Sequence, residues 1–261
     1  MGLHITAIRK FLSDHPQIRK NNLTTSQINS AVIKPETKAI NSCYIEKYID
    51  LCDSSNGKPL VAPATVFVSH AWRYEFCDVV VNALEQHASE HPHSYFWFDL
   101  FTNNQNEVAS KDFEWFSSTF REGVREIGQV LLVLSPWNDP IPIRRAWCLF
   151  EIFSALEDSN VTLHIKLPDR ERTMLRSTLR EDSKHVLQAL SDIKAQNAEA
   201  KVERERDLIF DVIRSSAGGF SHVNSQVKKG LVVWYVSQLK ILVDQTPDDY
   251  QLRLSCGKIH V

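Results

Sequence analysis

Four short apolar runs, separated by segments of helical periodicity, restrict the folds open to this chain more than any other feature. They cover residues 65–69, 94–99, 129–134 and 161–167. The third contains Val130-Leu-Leu-Val-Leu134, which lacks alternation and has the Val/Leu content of a strand buried on both faces. The fourth partly alternates, with His164 and Lys166 on one face, as near a sheet edge. Between the runs, residues 75–88 carry Val79, Val80 and Leu84 at helical spacing. Residues 111–126 carry Phe113, Phe116, Phe120 and Val124 in the same way. Pro136, Asn138, Asp139, Pro140 and Pro142 break the third run into a loop, and a helix follows to about Glu157 with Leu149, Ile152, Phe153 and Leu156 inward. Strands alternating with helices predict an α/β fold with a parallel sheet and right-handed crossovers.

The flanks are less regular. Ile5, Ile8, Phe11 and Leu12 suit a short helix ended by Pro16. Thr25 and Ser26 suit the cap of a second, running through Ile33 and stopped at Pro35. Residues 36–51 read as a third, with Ile40, Tyr44, Ile45, Tyr48 and Leu51 on one side. After residue 170 the chain is charged and helical. Val186, Leu187, Leu190 and Ile193 mark one stripe, Leu208, Ile209, Val212 and Ile213 another. Gly218-Gly219 precedes a last helix over 227–243. The division expected is a helical extension over 1–62, an α/β core over 63–168, and C-terminal helices over 169–261.

A net charge of −2 gives no electrostatic case for nucleic acid or an anionic membrane as partner. No apolar run approaches the roughly 20 residues of a membrane span. The five cysteines are odd in number and scattered, which favours reduced thiols and a cytoplasmic setting over a disulfide framework.

The residues that carry chemistry cluster after three of the strands. Ser69, His70, Trp72 and Arg73 follow the first, and Asp99 ends the second. On the helix after the third, Trp147 and Glu151 are one turn apart, on the side away from the apolar stripe, with Cys148 between. Ligands of open α/β sheets bind at the carboxyl ends of the strands.

With these residues placed, 63–168 resembles a TIR domain, the flavodoxin-like module of Toll/interleukin-1 receptor type, with a parallel sheet and helices on both faces. Val66-Phe-Val-Ser69-His70-Ala71 is similar to the opening strand of bacterial members, and Trp97-Phe-Asp99 to the end of the second strand. Trp147-Cys148-x-x-Glu151 is similar to the Trp-Cys-x-x-Glu of plant-type members. The loop after the second strand, Phe101-Thr-Asn-Asn-Gln-Asn-Glu-Val108, lacks the family's Gly, and Trp72-Arg73 replaces a small residue.

The resemblance implies an NAD+ hydrolase that releases nicotinamide and ADP-ribose, linear or cyclic, in defence or cell-death signalling. It also implies self-association through the TIR-like domain, and Glu151 as the essential residue. The chemistry fits one carboxylate. Nicotinamide leaves a cationic pyridinium as a neutral ring, so no general acid is needed, unlike ordinary glycoside cleavage. A carboxylate that holds the ribose hydroxyls and stabilises oxocarbenium character suffices. The plainer reading of Glu151 is a solvated helix glutamate.

The other candidates also have two readings. Ser69 and His70 suit a phosphate or ribose, or a turn and helix cap. Trp72 suits stacking on a base, or a partner surface or core lid; Arg73 suits pyrophosphate or a plain surface charge. Asp99 suits a ribose hydroxyl or a loop cap. Trp147 suits packing or ligand stacking, and Cys148 a buried thiol or a nucleophile. No phosphate-cradling glycine motif is present, so NAD is expected as substrate and no cofactor is expected. His87-x-x-x-His91-x-His93 has metal-like spacing, but Pro92 and the lack of a third arm favour a surface turn, so no metal site is expected. The alternatives to an NAD hydrolase are a non-catalytic TIR-like interaction module and, third, a nucleoside deoxyribosyltransferase-like enzyme.

Overall fold

A computed structural model describes residues 1–107, 113–181, 194–200 and 202–246. Its six strands are β1 Gly2–His4, β2 Val61–Ala62, β3 Val66–Ser69, β4 Tyr95–Trp97, β5 Gln129–Val133 and β6 Thr162–Lys166. They form one sheet in the order β2-β1-β4-β3-β5-β6. Strands β4, β3, β5 and β6 pair in parallel, and β1 is antiparallel to both of its neighbours. Within the parallel block the order is second, first, third, fourth, as in flavodoxin-like folds. The α/β expectation is met.

Helices α1 (Ile5–Asp14), α2 (Asn82–Glu90) and α3 (Phe113–Ile127) accompany this sheet. Successive strand residues point to opposite faces. On β4, Phe96 meets His87 of α2 with ring centroids 5.8 Å apart, while Trp97 meets Phe120 of α3 at 5.9 Å. The two crossover helices therefore cover opposite faces. The start of the helix expected over 111–126, and the side chain of Phe116, lie outside the described residues.

The chain divides into two compact units. One holds Met1–Val133 and Asp158–Lys166, the other Leu134–Glu157 and the chain from Leu167 onward. The residues read as an N-terminal extension belong to the sheet-bearing unit and supply two of its strands. Gly2 is required in β1 because a Cβ there would lie 2.8 Å from the carbonyl oxygen of Tyr95 and 3.0 Å from Cα of Ala64. Gly2→Val is expected to cost about 1–3 kcal/mol by this overpacking, measured by denaturant unfolding.

After β1, His4 caps α1, its Nδ1 accepting from the Thr6 amide. The cap of Thr25–Ile28 is Thr24, one residue before the expected Thr25 and Ser26, and it forms a capping box with Gln27. Pro35 does not stop that helix. A wide π-type turn over Asn29–Ile33 precedes it, and the proline sits in the first turn of Lys34–Thr37, where its missing N–H costs least. The third leader helix does not form. Asn41 has φ 45°, a left-handed conformation that ends a helix, and only a 3-10 turn over Tyr44–Tyr48 follows. Tyr44, Ile45 and Tyr48 are buried as expected, whereas Ile40 and Leu51 are exposed.

Glu36 anchors this leader. Its Oε2 accepts from Tyr44 Oη at 2.9 Å and from the Lys47 ammonium, and its Oε1 lies 2.7 Å from His15 Nε2. Burial pushes its carboxyl up, but the bonds from Lys47, His15 and Tyr44 outweigh that and hold it down at about 2. A depressed folded-state carboxyl contributes stability that is complete above its unfolded value, about 4.3, and is lost as pH falls towards 2. The wild-type melting temperature is expected to fall more steeply across that window than that of Glu36→Gln.

The second unit is helical: α4 Ala146–Glu157, α5 Asp169–Glu181, α6 Glu203–Ser215 and α7 Gly219–Gln245. Helix α4 packs against α6 and α7, and α7 also against α5. Gly218 takes φ 83° immediately before α7, which starts eight residues earlier than the apolar pattern shows. Val223, Val227, Leu231, Tyr235, Leu239 and Leu242 are its buried stripe. The stripe of Val186, Leu187, Leu190 and Ile193, and the tail after Thr246, lie outside the described residues. No described helix is long and apolar enough to cross a membrane.

Candidate active site

The candidate residues fall into two sets, one in each unit. Ser69, His70, Trp72, Arg73 and Asp99 lie in the sheet-bearing unit; Trp147, Cys148 and Glu151 lie in the helical one.

In the first set, β3 is a central strand flanked by β4 and β5, so its carboxyl end lies at the point where strand order reverses. Ser69 is the last residue of β3, fully buried and in register with Leu132 of β5. His70 is also buried, with its Nε2 3.2 Å from Thr25 Oγ1 and its ring edge-on to Phe98 at 4.8 Å. Trp72 is half-buried, and its indole N–H donates to Asp99 Oδ2 at 2.7 Å. Asp99 therefore ties the loop after β4 to the loop after β3, a role that neither the ribose nor the loop-cap reading contains. Arg73 is exposed.

The leader crosses this same end of the sheet. The Ser26 amide donates to the Trp72 carbonyl at 2.9 Å, and the Thr25 amide to that of Tyr74 at 3.1 Å. The Asn-rich loop after β4 holds the leader too. The Asn104 amide donates to the Asn41 carbonyl at 2.8 Å, Asn106 to Thr37 Oγ1 at 3.0 Å, and Gln105 to the Asp99 carbonyl at 2.7 Å. This loop binds its own chain.

In the second set, the loop after β5 is pinned within its unit. The Trp137 amide donates to Glu171 Oε2 at 2.8 Å, and the Tyr235 hydroxyl to the Trp137 carbonyl at 2.7 Å. Helix α4 then begins beside residues 198–200: the Ala146 amide donates to the Glu199 carbonyl at 2.9 Å. The helix does not have the solvated polar face its spacing suggests. Ala146, Cys148, Leu149, Phe150, Glu151, Ile152, Phe153 and Ala155 are all buried, so most of its circumference is covered.

Glu151 is only 8% exposed, which rules out the solvated-glutamate reading. Arg144 pairs with Asp139. Trp147 is half-buried and donates from its indole to Glu205 Oε2 of α6 at 2.9 Å, so it anchors α4 to α6. Cys148 is buried, as the structural-thiol reading requires.

Sequence reasoning missed the pairs Trp72–Asp99, His70–Thr25 and Trp147–Glu205, because their members are 27, 45 and 58 residues apart with no pattern to link them. It also set aside His87 and His91 as a surface turn. His87 is fully buried on α2, and β6 brings His164 beside both. The signal was present in the placement of His164 on one face of an edge strand.

No protein-family profile, curated protein or solved structure matches this chain.

Proposed function

We infer that this chain is an NAD+ hydrolase of TIR type, with Glu151 as the catalytic residue. The observation that carries the reading is the burial of Glu151. Glu151 is buried on a helix that is itself mostly covered, and ionisable groups in such surroundings concentrate at functional sites. Its position in Trp147-Cys148-x-x-Glu151 and the flavodoxin-like strand order support the same assignment.

In this reaction the bond from ribose C1′ to the pyridinium nitrogen breaks, and its electron pair neutralises the departing nicotinamide. Positive charge builds on C1′ and the ring oxygen. Glu151 stabilises that charge and holds the ribose hydroxyls, and its worth rises in a site that excludes water. Water then adds to C1′ and releases a proton, giving ADP-ribose. Trp147 and Cys148 position α4 and are not themselves reactive. The parts of Ser69, His70, Trp72, Arg73 and Asp99 in substrate binding rest on the family resemblance.

A second reading is a non-catalytic interaction module, in which Glu151 belongs to the packing of α4. Product analysis after incubation with NAD+ at low and high protein concentration separates the two. The enzyme reading expects nicotinamide and ADP-ribose, linear or cyclic, with specific activity rising on self-association. NAD+ left intact at every concentration favours the module.

A further inference from the structure

We propose that His87, His91 and His164 form a binding site for a divalent first-row transition metal of the zinc class, joining the carboxyl end of α2 to the edge strand β6. All three residues belong to the sheet-bearing unit. One ligand nitrogen from each lies within 4.8 Å of the others. The ring centroids are 4.6 Å apart for His87 and His91, 5.0 Å for His87 and His164, and 5.4 Å for His91 and His164. Zinc–imidazole bonds of about 2.0–2.1 Å need nitrogens roughly 3.3 Å apart, so an ion would draw the rings together. His91 is exposed and sits just past the last residue of α2, where its side chain has room to move.

The strongest observation is His87 itself. It is 0% exposed, and neither ring nitrogen has a hydrogen-bond partner. Buried polar atoms are almost always satisfied, and one way to satisfy a buried imidazole is a metal. Burial favours the neutral imidazole, which is the form with a lone pair to give a metal.

The surroundings suit the role. His164 Nε2 lies 3.2 Å from Gln129 Oε1, the kind of outer hydrogen bond that orients a ligating histidine and leaves Nδ1 for the ion. Lys166 on the same strand would oppose a cation, but its ammonium is bound by Glu90 at 2.5 Å. Three protein nitrogens and an exposed mouth at His91 leave a fourth position to water or a small anion. Imidazole sets of this kind take Zn2+, Cu2+ or Ni2+ and reject Mg2+ and Ca2+. The ion would staple β6, the exposed edge of the parallel block, to α2. None of this depends on NAD cleavage.

The test is titration of the chelator-treated full chain with Zn2+, followed by calorimetry and thermal unfolding. One equivalent is expected to bind and to raise the melting temperature, while Mg2+ does neither. His91→Ala, at an exposed position, and His164→Gln are each expected to weaken Zn2+ binding by at least about 100-fold. His93→Ala, on the same turn, leaves it unchanged. In the wild-type chain, Co2+ should perturb the imidazole resonances of His87, His91 and His164, which requires no variant to fold. The proposal is overturned if the wild type takes up no Zn2+, if His91→Ala and His164→Gln bind it as the wild type does, or if Co2+ perturbs other histidines instead.

Discussion

Phe11→Ala should lower stability by about 3–5 kcal/mol, among the largest losses that a single substitution in this chain can give. Phe11 is 0% exposed and lies on α1, in the stretch that reads as an N-terminal extension. Its ring meets Phe101 edge-on at 5.0 Å, Tyr44 at 5.3 Å and Phe76 at 6.2 Å. Truncation removes these contacts and leaves a cavity that three different segments would have to shift to fill. The surrounding side chains are themselves fully or nearly fully buried, so collapse is limited and the cost stays high. Denaturant unfolding measures it. Ile40→Ala, at a side chain 54% exposed, is the control and should change stability by less than about 0.5 kcal/mol. A Phe11→Ala loss no larger than the control's would mean that the leader is an appendage and not part of the core.

Glu151→Gln should reduce nicotinamide release by about 10^2–10^3-fold, the usual cost of deleting one preorganised electrostatic group. Glutamine keeps the shape of the side chain, removes its charge and turns one acceptor oxygen into an NH2 donor. The swap is close to isosteric, so the fold is expected to be kept, and the melting temperature is measured alongside. That pairing of lost activity with a retained melting temperature distinguishes catalysis from folding. A structural carboxylate predicts the reverse, with stability moving and no rate to lose.

The parallel strands were legible because each is a Val/Leu/Ile- or aromatic-rich run bounded by Pro, Asp or Gly, which few helices tolerate. Strands β1 and β2 were not. Three residues, Gly-Leu-His, and two, Val-Ala, carry no periodicity, and only their pairing with Tyr95–Phe96 and with each other defines them. The leader was misread where one residue overrides a pattern: Asn41 takes a left-handed conformation inside an otherwise helical stripe. In α4 the apolar stripe was right, but periodicity marks only the most apolar face and says nothing of what covers the rest. The burial of Glu151 therefore could not be read from spacing. The histidine cluster shows the same limit, since His87 and His91 are visible as a helical pair while His164 arrives from far along the chain by way of β6.

The most direct test of the account is the rate at which purified wild-type protein and Glu151→Gln, both shown to be folded, release nicotinamide from NAD+. The account predicts steady release by the wild type, one nicotinamide for each NAD+ consumed, and release by the variant at least about 100-fold slower. Equal rates from the two proteins, or no release by the wild type at any concentration, would contradict it.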